Sequence, residues 1–228
     1  MTVTAKPNPL AELLVTLIIP SLILMKLSGP DSLGAVNALL LALAFPLFWG
    51  ARDLFVRRKL NLFAALGLLN ILLTGGIGLL QMDTQWLAIK EAAIPGLIGL
   101  GTVVSAHTRY PLVRIVLFSE SLMNVERIQQ RLSQRGNGAV FDARLKVATW
   151  MLGGSFFFSA VMNYTLAIWI VVSPAGTTAF NEELGRLTLL SYPMIALPSM
   201  LIMVAVLYYL ARSIRELAGL KLAEALKR

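Results

Sequence analysis

Six apolar stretches, at 9–27, 33–51, 60–81, 84–106, 147–172 and 187–211, constrain this chain more than any other feature. Each is close to the roughly 20 residues that an α-helix needs to cross a hydrocarbon core of about 30 Å. The runs are continuous and rich in Leu and Ala, without the two-residue alternation of a transmembrane barrel, so they predict helices. A helix satisfies its own backbone hydrogen bonds, which lipid cannot do for it. The expected fold is therefore all-α, a polytopic membrane protein of about six transmembrane helices. Composition agrees: 57% of residues are hydrophobic and 14% charged, too little polar surface for a water-soluble globule.

The connections are short except for 107–146, so residues 1–228 are expected to form a single membrane domain. The segment Met1–Pro7 has no charged region followed by a short apolar run and a small-residue cleavage site, so no signal peptide is expected to be removed. The 20 Lys and Arg residues fall unevenly between the two sides. Threading the six spans puts 17 of them on one side: Lys6, the cluster from Arg52 to Lys59, seven in 107–146, and five from Arg212 onward. Only Lys26, Lys90 and Arg186 fall on the other. Short loops rich in Lys and Arg stay in the cytoplasm, so both termini are expected there. The net charge of +8 follows this topology, and the basic residues are not interleaved with aromatics on one surface, so no nucleic-acid partner is expected.

Within 107–146, Ile115, Phe118, Leu122, Val125, Ile128 and Leu132 recur at three- and four-residue intervals. That spacing predicts a cytoplasmic amphipathic helix between the fourth and fifth spans, ended by Gly136-Asn137-Gly138. It either lies on the membrane, with Arg114, Arg127, Arg131 and Arg135 facing anionic headgroups, or packs beneath the bundle. After Arg212, residues Ile214, Leu217, Leu220, Leu222 and Leu226 extend the last helix along the membrane surface.

Charged residues inside spans are candidates for function, because burying one in hydrocarbon costs about 3 kcal/mol on the insertion scale. Lys90 and Glu91 stand within two turns of the outer end of the fourth span, near Trp86. Successive helical residues point about 100° apart, so one of the pair turns inward. The expectation is that Lys90 snorkels outward beside Trp86 while Glu91 faces inward, joining Asn37 and Tyr192 in a polar pocket open to the periplasm. Pro20, Pro46, Pro95, Pro193 and Pro198 interrupt spans and each removes an amide donor. Asn37, Asn70 and Asn163, with the Gly-rich stretch Gly75–Gly78 and the pair Gly153-Gly154, read as helix-packing residues. The shared fragments Ile19-Pro20-Ser21-Leu22-Ile23 and Ile94-Pro95-Gly96-Leu97-Ile98 read as chance similarity between apolar segments, with a 3+3 inverted repeat of the transporter kind as the alternative.

Cysteine is absent and His107 is the single histidine, so thiol chemistry has no residue here, and no cofactor or metal is expected. A Ser/His/Asp set would need His107 from the loop, and Thr74-Gly75-Gly76 lacks the Gly-Lys-Thr of a phosphate-cradling loop, so the chain is not expected to be an enzyme.

Trp86 followed by Lys90, the Tyr110-Pro111-Leu112 exit from the fourth span, Asn163 and Trp169 in the fifth, and Phe180-Asn181 in the next outer loop resemble the intracellular septation protein A group of bacterial inner-membrane proteins. The likeness covers most of the chain, with the segment near 119–146 as an extension. It implies a multi-pass protein of the bacterial inner (cytoplasmic) membrane connected with the cell envelope, division or membrane homeostasis, with no catalytic residue to carry over. The extension points to a different partner.

Two functional expectations result. One is a non-enzymatic envelope or membrane-homeostasis protein acting through membrane lipids or an envelope protein partner. The other is a small-solute or lipid transporter built on the Lys90/Glu91 region, with a homo-oligomer completing its pathway.

Overall fold

The computed structural model describes Leu10 and residues 13–57, 62–108, 111–116, 118 and 123–225, without the side chains of 53–57, 62–67 and Leu222. Lys6, Arg58, Lys59, Arg109, Tyr110, Leu122, Leu226, Lys227 and Arg228, all used in the sequence argument, lie outside the described residues. The fold is all-α, with no strand among the described residues.

Ten helical elements are described: α1 (Leu14–Lys26), α2 (Gly34–Arg57), α3 (Leu62–Leu79), α4 (Gln85–Ala106), α5 (Leu112–Val116), α6 (Val125–Gln134), α7 (Gly138–Ile170), α8 (Thr178–Ser191), α9 (Leu197–Ala218) and α10 (Leu222–Ala225). A π-helical segment, Tyr192–Ala196, joins α8 to α9 so that Thr178–Ala218 runs on without a break. Four helical stretches are long and apolar enough to cross a membrane: Gly34–Arg52, Gln85–Ala106, Gly138–Ile170 and Thr178–Ala218. They coincide with the second, fourth, fifth and sixth predicted spans. The first and third correspond to shorter apolar stretches, Leu14–Lys26 and Leu68–Leu79. Large apolar side chains remain exposed along these helices, among them Leu97 at 69%, Val161 at 63% and Leu201 at 71%. Lipid is the solvent such a surface fits.

The helix ends depart from the sequence expectation in three places. α7 starts at Gly138, not near 147, because the charges at Asp142, Arg144 and Lys146 do not oblige a helix to stop at the edge of the hydrocarbon. The amphipathic stretch is two helices, α5 and α6, not one: Phe118 sits at a bend and the Asn124 carboxamide oxygen caps α6 by accepting from the Arg127 amide at 3.1 Å. The tail helix also stops early. Gly219, with φ +69°, ends α9 in the left-handed conformation that suits glycine, and α10 follows as a separate turn. The prolines act locally. π-helical turns fall at Leu14–Ile18, just before Pro20, and at Tyr192–Ala196, around Pro193 and before Pro198. The wider turn accommodates the missing donor and the ring's crowding.

The described helices divide into two compact units. The first contains α1, α2, α3, α4 up to Ile94, α7 from Met162 and α8. Its core gathers Leu39, Leu87, Leu166 and Phe180, and α8 lies so close to α1 that Gly185 faces the Ser21 carbonyl oxygen. Asn181 secures the connection between α1 and α2: its Nδ2 donates to Ser28 Oγ at 3.0 Å and to the Ala35 carbonyl at 2.7 Å. Glu183 secures the residues after α7, accepting from the amides of Val172 and Ser173 at 2.9 and 2.8 Å and from Ser173 Oγ at 2.7 Å.

The second unit contains α4 from Pro95, α5, α6, α7 up to Val161, α9 and α10. Gly99 on α4 and Gly153 on α7 let the two helices touch, and the Gly99 position faces the Gly153 carbonyl. Val113, Ile128, Leu132, Leu145, Leu210 and Ile214 form its core. The apolar side of α6 is thus buried in protein, the packed alternative of the sequence reading, and a 2.8 Å bond from the Asn124 amide to the Ala225 carbonyl ties α10 beside it.

Candidate functional site

Among the described residues of the first unit, the charged group buried deepest is Lys90, 7% exposed. It stands five residues inside α4, and Thr74 five residues inside the end of α3, about 7.5 Å in each case at the helical rise. Asn70 and Thr74 are four residues apart and share one face of α3. Lys90 Nζ donates to Asn70 Oδ1 at 2.9 Å and to Thr74 Oγ1 at 2.7 Å, and lies 2.7 Å from Glu91 Oε1. Two of the ammonium's three hydrogens go to these neutral acceptors, and the Glu91 carboxylate stands beside it as an ion pair. Thr74 Oγ1 in turn donates to the Asn70 carbonyl at 2.9 Å, so its own hydrogen is also used. The group is a polar lock between α3 and α4. Glu91, whose side chain is 24% exposed, keeps its second oxygen for an outside partner.

This arrangement reverses the expected roles of the pair. Lys90 turns inward and Glu91 faces partly outward, while Trp86 is exposed at 53% without Lys90 snorkelling beside it. Asn70 and Thr74 supply acceptors within reach of a long stem, and a donor of three hydrogens gains more from them than a carboxylate would. The predicted pocket of Glu91, Asn37 and Tyr192 is not formed. Asn37 is exposed, with its Nδ2 donating to the Leu33 carbonyl of its own helix at 2.9 Å, and Tyr192 is exposed in the π-helical segment. Sequence reasoning placed Asn70 among packing residues and read Thr74 only as the start of an incomplete phosphate-loop motif. Two polar residues at helical spacing in an otherwise apolar run were the available signal.

In the second unit, cations collect on the surface of the core just described. Arg127, Arg131 and Arg135 are exposed along α6, and Arg114 on α5 is half-exposed, its Nη1 3.5 Å from Asp142 Oδ1. Glu216 on α9 is shared by two arginines, Arg144 Nη1 and Arg212 Nε, each at 2.7 Å. The Arg135 guanidinium lies against Gly219, where any side chain would displace it. His107 sits edge-on to Trp150 with ring centroids 5.5 Å apart, and its Nδ1 is 3.2 Å from the Val103 carbonyl oxygen. Among the described residues no three His, Asp or Glu side chains gather as metal ligands would.

Comparison with protein-family models, curated proteins and solved structures finds no match for this chain.

Proposed function

We propose that this chain is a non-enzymatic protein of the bacterial inner membrane that serves envelope or membrane homeostasis through anionic lipids or a protein partner. The observation that carries the reading is the segregation of charge in the second unit, where exposed Arg127, Arg131 and Arg135 stand on a helix whose apolar side is committed to the core. That helix needs no lipid to bury its apolar side, so Arg127 and Arg131 are left to recognise phosphate or carboxylate from outside. With this surface in the cytoplasm, as the distribution of Lys and Arg favours, it meets the anionic leaflet. The order of Trp86, Lys90, Asn163, Trp169 and Phe180-Asn181 supports a kinship with the septation protein A group. Isolation from native membranes, with analysis of retained lipids and proteins, tests the proposal. Enrichment of anionic lipid or of one envelope protein is expected, and a protein carrying neither overturns it.

The competing reading is a transporter in which Lys90 and Glu91 contact the passing solute, favoured by a charge pair within a candidate span. The ammonium already holds Asn70, Thr74 and Glu91 together, which weighs against it. Flux of small solutes in proteoliposomes that vanishes in Glu91→Gln at unchanged abundance would establish transport in place of the first reading.

A further inference from the structure

We infer that α9 and the turn after it form a binding site for one anionic phospholipid, with the phosphate held by Arg212, Arg215 and Lys221 and an acyl chain lying along Leu197, Leu201, Val204 and Tyr208. The inference rests on the lipid-acting reading above and gives it a specific site.

Leu197, Met200, Leu201, Val204, Leu207 and Tyr208 are exposed by 42% to 71%. Their spacing of three and four residues places them on one side of α9, opposite the buried Val206, Leu210 and Ile214. From Leu197 to Tyr208 the stripe covers about 16 Å, close to half the roughly 30 Å hydrocarbon core. One leaflet is therefore matched. The same side continues past Ala211 to Arg212 and Arg215, so the apolar stripe runs directly into cations. There a groove of about 630 Å³ opens, lined by Tyr208, Ala211, Arg212, Arg215, Glu216 and Lys221.

The local charge favours an anion. Both oxygens of Glu216 are already engaged by Arg144 and Arg212, and Glu224 Oε2 accepts the Lys221 backbone amide at 2.9 Å. Among the described residues, no carboxylate pairs with the side chain of Arg215 or Lys221. Four cations thus face two carboxylates. The C-terminal end of α9 adds a partial negative charge of about one half, which does not cancel the excess. Arg212 gives only Nε to Glu216, so its two terminal nitrogens remain to donate to phosphate oxygens. A free phosphate would use the same cations but none of the apolar stripe.

The test is equilibrium binding to the full chain in detergent, using short-chain phosphatidylglycerol, short-chain phosphatidylcholine and inorganic phosphate as probes. Phosphatidylglycerol is expected to bind more tightly than either of the others. The double variant Arg215→Gln/Lys221→Gln should lose about fivefold per cation for phosphatidylglycerol and less for phosphatidylcholine, whose choline cation already offsets its phosphate. Both side chains are exposed, and an unchanged unfolding temperature establishes that the variant folds. Equal binding of the two lipids by the native protein overturns the inference, as does undiminished phosphatidylglycerol binding by the double variant. Inorganic phosphate binding as tightly as the lipid overturns the acyl-chain assignment and leaves a phosphate site. If the double variant still carries native amounts of anionic lipid from the membrane, this site fails while the lipid-acting reading stands. A native protein that retains no lipid fails this site, and one that retains neither lipid nor an envelope protein fails both.

Discussion

Lys90→Met removes the ammonium at the centre of the α3–α4 lock while keeping an unbranched stem of similar length. Three interactions end at once, to Asn70 Oδ1, Thr74 Oγ1 and Glu91 Oε1. The two neutral acceptors contribute modestly, since side-chain hydrogen bonds between membrane helices average about 0.6 kcal/mol and reach about 1.7. The ion pair decides the total. Removing one partner of a fully buried pair costs about 3–5 kcal/mol, and the 24% exposure of Glu91 places this case at the lower end, because water reaches the abandoned carboxylate. Lys90→Met should therefore destabilise the protein by about 3 kcal/mol, and Thr74→Val, which leaves the ion pair in place, by about 1 kcal/mol. Adding Glu91→Gln to Lys90→Met should recover part of the loss by removing the orphaned charge. Reversible unfolding in mixed micelles measures all three. A Lys90→Met protein within about 0.5 kcal/mol of the native chain would refute the lock, and show instead that Lys90 snorkels to the interface in a bilayer.

Gly185→Ala places a Cβ 2.8 Å from the Ser21 carbonyl oxygen, a backbone atom with little room to retreat, and should cost about 2 kcal/mol in the same unfolding assay. At Asn181, Asp should be more damaging than Leu, because a carboxylate would face the Ala35 carbonyl that now receives an amide hydrogen; Leu should cost about 1–2 kcal/mol. The reverse order would remove the clamp role. Gly219→Ala should cost about 1 kcal/mol for the left-handed backbone alone and somewhat more for displacing Arg135, both read as a lowered unfolding temperature.

The helical class and the positions of the apolar helices were legible because burial in lipid demands continuous apolar runs, and nothing subtler is needed to find them. Helix ends were harder. Asp142, Arg144 and Lys146 look like loop in a count of apolar residues, yet a helix already nucleated at Gly138 loses nothing by carrying them into water. The three-and-four spacing from Ile115 to Leu132 ran across a break that only the Asn124 cap reveals. Gly136, in contrast, ended α6 where turn chemistry placed it, with φ +67°. The site was half legible. Lys90 and Glu91 stood out as charges inside a span, but which one turned inward depended on what the neighbouring helix offered. Asn70 and Thr74 lie 20 and 16 residues away, and pairing across helices leaves no periodic trace in a single sequence.

The chain contains no cysteine, so single cysteines can report sidedness without background. Labelling of Arg131→Cys, Met82→Cys and Leu201→Cys with a membrane-impermeant thiol reagent, in intact cells and in inverted vesicles, asks directly whether the chain spans the membrane with its basic face inside. Arg131→Cys should react only in inverted vesicles, Met82→Cys only in intact cells, and Leu201→Cys in neither. Reaction of the first two from the same side, or of Leu201→Cys from either, would contradict a membrane-spanning bundle with its arginine-rich surface turned toward the cytoplasm.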